Sequence, residues 1–130
     1  MIDAGAVFLA KAEESLSGAE IEFANGWYNN CANRCYYACF QAAIHALVLA
    51  GIEPGGTRTQ RGHAFVQAEF VGELINRRKA YSPALRDALI RTLELRLVAD
   101  YRHELVTARQ ASRSLQRARE LVGALMTGRT

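Results

Sequence analysis

The amino-acid sequence predicts an all-α protein, folded as an up-and-down bundle of four to five helices. Half of its 130 residues are hydrophobic and only two are proline, which is typical of a compact helical protein. Apolar residues recur three and four positions apart along most of the chain, as they do on one face of a helix. The length fits a single domain spanning residues 1–130.

The first two helices are predicted on either side of Asn25-Gly26, a pair that breaks helices. The first helix has one apolar face, formed by Phe8, Ala12, Leu16, Ala19 and Phe23. The second, from about Trp27 to Ala50, is apolar on nearly every side, so we expect it at the centre of the bundle. It carries three cysteines four residues apart, Cys31, Cys35 and Cys39. We interpret them as small core residues, because zinc normally needs four ligands.

The later helices follow one loop, residues 52–62. Helical spacing predicts helix three from about His63 to Arg78. Ser82-Pro83 then supplies a capping oxygen and a suitable first residue for helix four. Thr107 and Gln110 fit a capping box, which predicts the start of helix five.

A polar segment ends helix four, where Arg96 continues an apolar stripe. Leu89, Arg96 and His103 follow one another at intervals of seven residues, about two helical turns, and so lie nearly in line if the helix continues. Asp100 stands one turn after Arg96, near enough for a charge-assisted hydrogen bond. The segment is either an internal Arg96–Asp100 pair that fixes helix four, or a site in which Arg96 keeps donors free for a phosphate.

Charge is unevenly distributed along the chain. Residues 1–76 hold four Lys or Arg against eight Asp or Glu, and residues 77–130 hold twelve against five. The second half is therefore suited to attract phosphate, although outward arginines also simply solvate a helix face. The same two interpretations apply to the ridge formed by Arg109, Arg113 and Arg117, which would contact RNA or an acidic protein, or only solvent.

The first residues contain acidic side chains and no basic leader, and no apolar run is long and pure enough to span a bilayer. We therefore expect a cytoplasmic protein with no membrane contact. His45 is interpreted as a core histidine with one hydrogen bond. His63 falls at a loop–helix boundary, and neither histidine has metal-site spacing, so no metal or cofactor is expected.

Two segments resemble a known family, the HEPN domains (higher eukaryotes and prokaryotes nucleotide-binding). ANRCYYACFQAAIHALV, residues 32–48, looks like the second helix of the branch with an NRxYYAxF pattern. RLVADYRHE, residues 96–104, looks like its RxxADY motif. The resemblance implies a helical bundle that forms a homodimer, with helices two and four lining a shared cleft.

The family also implies a function in nucleotide or RNA biology. Many members are toxin-type or accessory partners of a separately encoded minimal nucleotidyltransferase, and many are metal-independent ribonucleases with an R-x(4–6)-H motif. Arg96 and His103 fit that spacing and are the candidate catalytic pair. The candidate residues for nucleotide or RNA binding are Asn33, Arg34, Asp100, Tyr101 and Arg102, and Tyr101 is also the candidate modification site.

The paired-module hypothesis is favoured over the ribonuclease, because the ADY motif is intact while Leu97 replaces the polar residue often found after the motif arginine. The third alternative is a helical scaffold without activity. Asn33 and Arg34 also have a simpler interpretation as solvated residues at a helix start.

Overall fold

The computed structural model describes residues 4–53 and 60–127. The helices in these ranges are α1 (Ala4–Ala24), α2 (Tyr28–Leu49), α3 (Gln60–Glu69), α4 (Ala88–Tyr101) and α5 (Ala108–Thr127). α3 continues directly into a π-helix, Phe70–Arg77, and a short 3₁₀ turn, Pro83–Leu85, precedes α4. The described residues contain no strand, and the all-α prediction is confirmed.

α2 is the central helix of the bundle. It packs against α1, α3, α4 and α5, and twelve of its 22 residues are buried. Cys31, Cys35 and Cys39 are completely buried, so their interpretation as core residues is confirmed. The chain enters α2 through Gly26, whose positive φ of 77° is the left-handed conformation that glycine adopts readily.

The third helix differs from its predicted form. It begins at Gln60 rather than near His63, and its second half, Phe70–Arg77, is a π-helix. The turn is wider there because Arg78 N donates to Glu73 O, five residues back. Of the predicted loop, residues 54–59 lie outside the described residues.

The start of α4 also lies later than predicted. The Ser82 hydroxyl does accept a hydrogen bond from Ala84 N at 3.2 Å, but it caps the 3₁₀ turn, and α4 begins only at Ala88. The capping box of α5 is confirmed, because Thr107 N donates to Gln110 Oε1 at 3.0 Å and Gln110 N donates to Thr107 Oγ1 at 3.1 Å.

The end of α4 corrects the predicted alignment of His103 with Arg96. α4 ends at Tyr101, and Arg102 is extended, with ψ near 163°. The next segment is held by α2, since Val106 N donates to Asn29 Oδ1 at 3.0 Å. His103 therefore stands outside the helix and is not in line with Leu89 and Arg96.

Within the described ranges, no helix combines the length and apolarity that crossing a bilayer requires.

Candidate functional site

A polar network joins α2 to α4 at the end of α4. Asn33 Nδ2 donates to Asp100 Oδ2 at 3.0 Å, and Arg96 Nε donates to the same oxygen at 3.0 Å. Asn33 and Tyr37 stand one turn apart on the partly exposed side of α2, and Arg96 and Asp100 stand one turn apart on α4. The network thus depends on the crossing of these two helices.

Arg96 is held by aromatic rings as well as by Asp100. Its side chain is only 18% exposed, and its guanidinium carbon lies 5.8 Å from the ring centre of Tyr36, 5.4 Å from that of Tyr37 and 5.8 Å from that of Tyr101. These distances are within the range of cation–π attraction. Only Nε of its guanidinium donates a hydrogen bond among the described residues, which leaves its two terminal nitrogens as donors for a ligand.

Arg34 contacts the same tyrosine ring as Arg96, that of Tyr37. Its guanidinium carbon is 5.1 Å from the ring centre of Tyr37, and its Nε and Nη2 donate to the neutral amide oxygen of Asn33 at 3.0 and 2.6 Å. The network therefore contains two guanidinium groups and one carboxylate, Asp100. Its charge is one unit positive, which suits an anion.

The end of the motif is open to solvent. Tyr101, the last residue of α4, is 67% exposed, and Arg102 and His103 are exposed too. No hydrogen bond or ion pair of their side chains occurs within the described part of the chain. The structure thus brings together Asn33, Arg34, Arg96, Asp100 and Tyr101, and places Arg102 and His103 in the segment that follows.

His63, which the sequence places only at the start of a helix, is a neighbour of this site. Its Nδ1 lies 2.5 Å from the hydroxyl oxygen of Tyr36, and its ring stacks on Phe40 with ring centres 4.2 Å apart. Partial burial, and then the charge of Arg96, lowers the pKa of His63. Burial raises the pKa of Tyr36, opposed by the charge of Arg96. Sequence spacing gives no signal for this contact, because the two residues lie 27 positions apart on different helices.

His45 and the arginines of α5 lie outside the polar network. His45 is partly buried and its Nδ1 is 2.7 Å from Gly5 O, as expected of a core histidine with one hydrogen bond. Arg113 and Arg117 line a groove between α4 and α5 together with Arg91 and Glu94. No group of three or more His, Cys, Asp or Glu suited to a metal occurs among the residues described.

The chain also matches the model of a known protein family. The model of the HEPN domain matches residues 6–127, nearly the whole chain. No curated protein matches the chain closely enough to count as a relative. The match covers nearly all of α1, the whole of α2 to α5 and every residue of the polar network, and the chain therefore belongs to the HEPN family of nucleotide- or RNA-associated domains.

Proposed function

We propose that the network between α2 and α4 binds a phosphate of a nucleotide or RNA through Arg34 and Arg96. The observation that carries this proposal is the charge of the network, in which two guanidinium groups contact the ring of Tyr37 and only one of them, that of Arg96, pairs with a carboxylate, Asp100. Both side chains are already fixed by hydrogen bonds and rings, so binding costs little additional side-chain entropy.

The proposed role of this site is that of a toxin-type or accessory module for a separately encoded minimal nucleotidyltransferase, with Tyr101 as the acceptor. The hydroxyl of Tyr101 would attack the α-phosphorus of ATP held by the partner. An oxygen–phosphorus bond forms, the bond to the β-phosphate breaks, pyrophosphate leaves, and a base of the partner takes the phenolic proton. The exposure of Tyr101 supports access by a partner, and the new phosphate would lie near Arg96 and Arg102.

Binding is tested on the isolated chain with a labelled ten-nucleotide single-stranded RNA and with ATP. We expect Arg34→Gln and Arg96→Gln each to weaken binding about tenfold. Each should also lower the dependence of RNA affinity on salt concentration, by the amount that corresponds to about one lost phosphate contact. Arg91→Gln is the matched control, because Arg91 lies on α4 but pairs with Glu94 at 3.1 Å. Equal affinity of all three variants and the wild-type chain would overturn the phosphate site.

Modification is tested by mass spectrometry after incubation with the nucleotidyltransferase and ATP. A nucleotidyl adduct on Tyr101 that disappears in Tyr101→Phe supports the proposal, and Tyr28→Phe serves as the control. An unmodified chain, or an adduct confined to other residues, contradicts it.

A metal-independent ribonuclease that uses Arg96 and His103 is the second candidate. The end of α4 at Tyr101 favours it, because the extended Arg102 frees His103 from the helix axis. Histidine would remove the proton from a ribose 2′-hydroxyl, whose oxygen attacks the phosphorus while the bond to the 5′-oxygen breaks. The 5′-oxygen takes a proton from water and leaves as a hydroxyl, and arginine would stabilise the charge that develops. Cleavage of single-stranded RNA in EDTA to cyclic phosphate ends, abolished in folded His103→Ala, would place this function first.

A further inference from the structure

His63 approaches the polar network from α3, an element that carries neither of the two sequence motifs. It is partly exposed, and its ring lies against three aromatic rings of α2: those of Tyr36, Tyr37 and Phe40. Arg96 contacts two of the same rings, those of Tyr36 and Tyr37. The histidine and the arginine thus adjoin one aromatic surface from different helices.

The hydrogen bond to Tyr36 determines which nitrogen of His63 is available. Burial raises the pKa of Tyr36, so its hydroxyl keeps its proton. The lowered pKa of His63 favours the neutral imidazole. A phenol that donates to Nδ1 leaves the proton of a neutral imidazole on Nε2. Nε2 has no hydrogen-bond partner among the described residues, so it remains a donor for a ligand.

We propose that His63 is a ligand-binding residue of the arginine site, whose Nε2–H donates to an oxygen of the bound nucleotide or RNA phosphate. Tyr36 is then a positioning residue, because its hydroxyl sets the tautomer and the stack on Phe40 fixes the plane of the ring. A neutral third donor adds affinity without adding a charge that repels Arg96. This inference rests on the proposed phosphate site and adds to it a residue that the motifs leave out.

The alternative is that the Tyr36–His63 bond only holds α3 against α2. The two roles differ in what the variants change. Loss of a structural bond lowers the melting temperature and leaves the affinity of the folded chain unaltered, whereas loss of a ligand donor lowers affinity in a chain that remains folded.

The test uses the full chain and the same labelled ten-nucleotide RNA, measured by fluorescence anisotropy. We expect His63→Phe to weaken binding about fivefold, as for the loss of one hydrogen bond, while the salt dependence stays that of the wild type. His63→Phe leaves the Tyr36 hydroxyl without its hydrogen-bond partner. The double variant Tyr36→Phe/His63→Phe replaces both residues by apolar rings, so no buried polar group is left unpaired. It should show the same loss of affinity. His45→Gln is the control.

The outcomes separate the inference from the proposed function. If the arginine variants lose affinity while the folded double variant binds like the wild-type chain, His63 is not a ligand-binding residue and the phosphate site stands. If the wild-type chain does not bind, or the arginine variants bind equally well, the phosphate site and this inference both fail. Nitrogen NMR of the wild-type chain adds an independent measurement, because the Nε2 resonance of His63 should move on addition of RNA; an unmoved resonance beside shifted arginine resonances overturns the inference.

Discussion

At the scale of single residues, the environment of His63 couples the candidate site to pH. Burial and the charge of Arg96 both disfavour its imidazolium form, while the unfolded chain leaves it in water. The unfolded state therefore binds more protons in the range below the ordinary pKa of about 6.5. The stability associated with His63 is complete above that pH and is lost as pH falls toward its lowered folded-state pKa.

The first prediction is that acidification from pH 7.5 to 5.5 (about one unit either side of 6.5) lowers the melting temperature less in His63→Gln than in the wild-type chain. The variant has no group at this position that gains a proton on unfolding. Gln67→Asn, on the same helix as His63, is the control, because it changes no titratable group, and it should keep the wild-type slope. Identical slopes in all three chains would mean that His63 titrates alike in both states.

The contacts of Arg96, Asn33 and His63 show how much of the site could be predicted from the sequence. Arg96 and Asp100 are joined by helical spacing, and their hydrogen bond was expected from the sequence and is present at 3.0 Å. The bond from Asn33 to Asp100 spans 67 residues, a separation at which helical spacing predicts no contact. The contact of His63 with Tyr36 depends on how α3 packs against α2, which neither spacing nor the motifs specify.

At the scale of elements, local chemistry predicted some boundaries and tertiary packing determined others. Thr107 and Gln110 were recognisable because a capping box is completed within four residues. The π-helix was not, because Phe70, Leu74 and Ile75 fit an α-helical stripe and are also the buried residues of the wider turn. Ser82-Pro83 marked a real capped turn, but no local signal indicates that the turn ends at Leu85 and that α4 begins only at Ala88.

The second prediction concerns the start of α5. Thr107→Ala should lower the free energy of unfolding by about 1 kcal/mol, because Gln110 N loses its hydrogen-bond acceptor, Thr107 Oγ1. The reciprocal hydrogen bond from residue 107 N to Gln110 Oε1 is then no longer supported by the capping box. For a chain of this size the melting temperature falls by about 4 °C. Thr127→Ala, in the last turn of the same helix, is the matched control, because its hydroxyl only donates to carbonyls inside that turn. Equal small effects of both variants would show that the capping box contributes little.

At the scale of the whole molecule, α2 was expected to be central, and it is. Its apolar sides are already covered by the other helices, so we expect a second subunit to contact the apolar side chains that remain exposed where the ends of α2 and α4 adjoin. Trp27 is 56% exposed and Leu105 is 79% exposed. Both line a groove of about 310 Å³ together with Val106 and the first residues of α2.

The last prediction is that this surface carries the homodimer that the family resemblance implies. Sedimentation at about 50 µM should give a dimer, and Leu105→Glu should shift it to monomer by raising the dissociation constant at least about tenfold, because a buried unpaired carboxylate is costly. Leu49→Glu is the matched control, since Leu49 is 60% exposed at the far end of α2. A wild-type chain that stays monomeric contradicts the dimer itself, whereas a dimer disrupted by Leu49→Glu and not by Leu105→Glu places it on another surface. Because Tyr101 and His103 stand just before Leu105 in the chain, the position of this interface also decides whether the two copies of the candidate site face one another across a shared cleft.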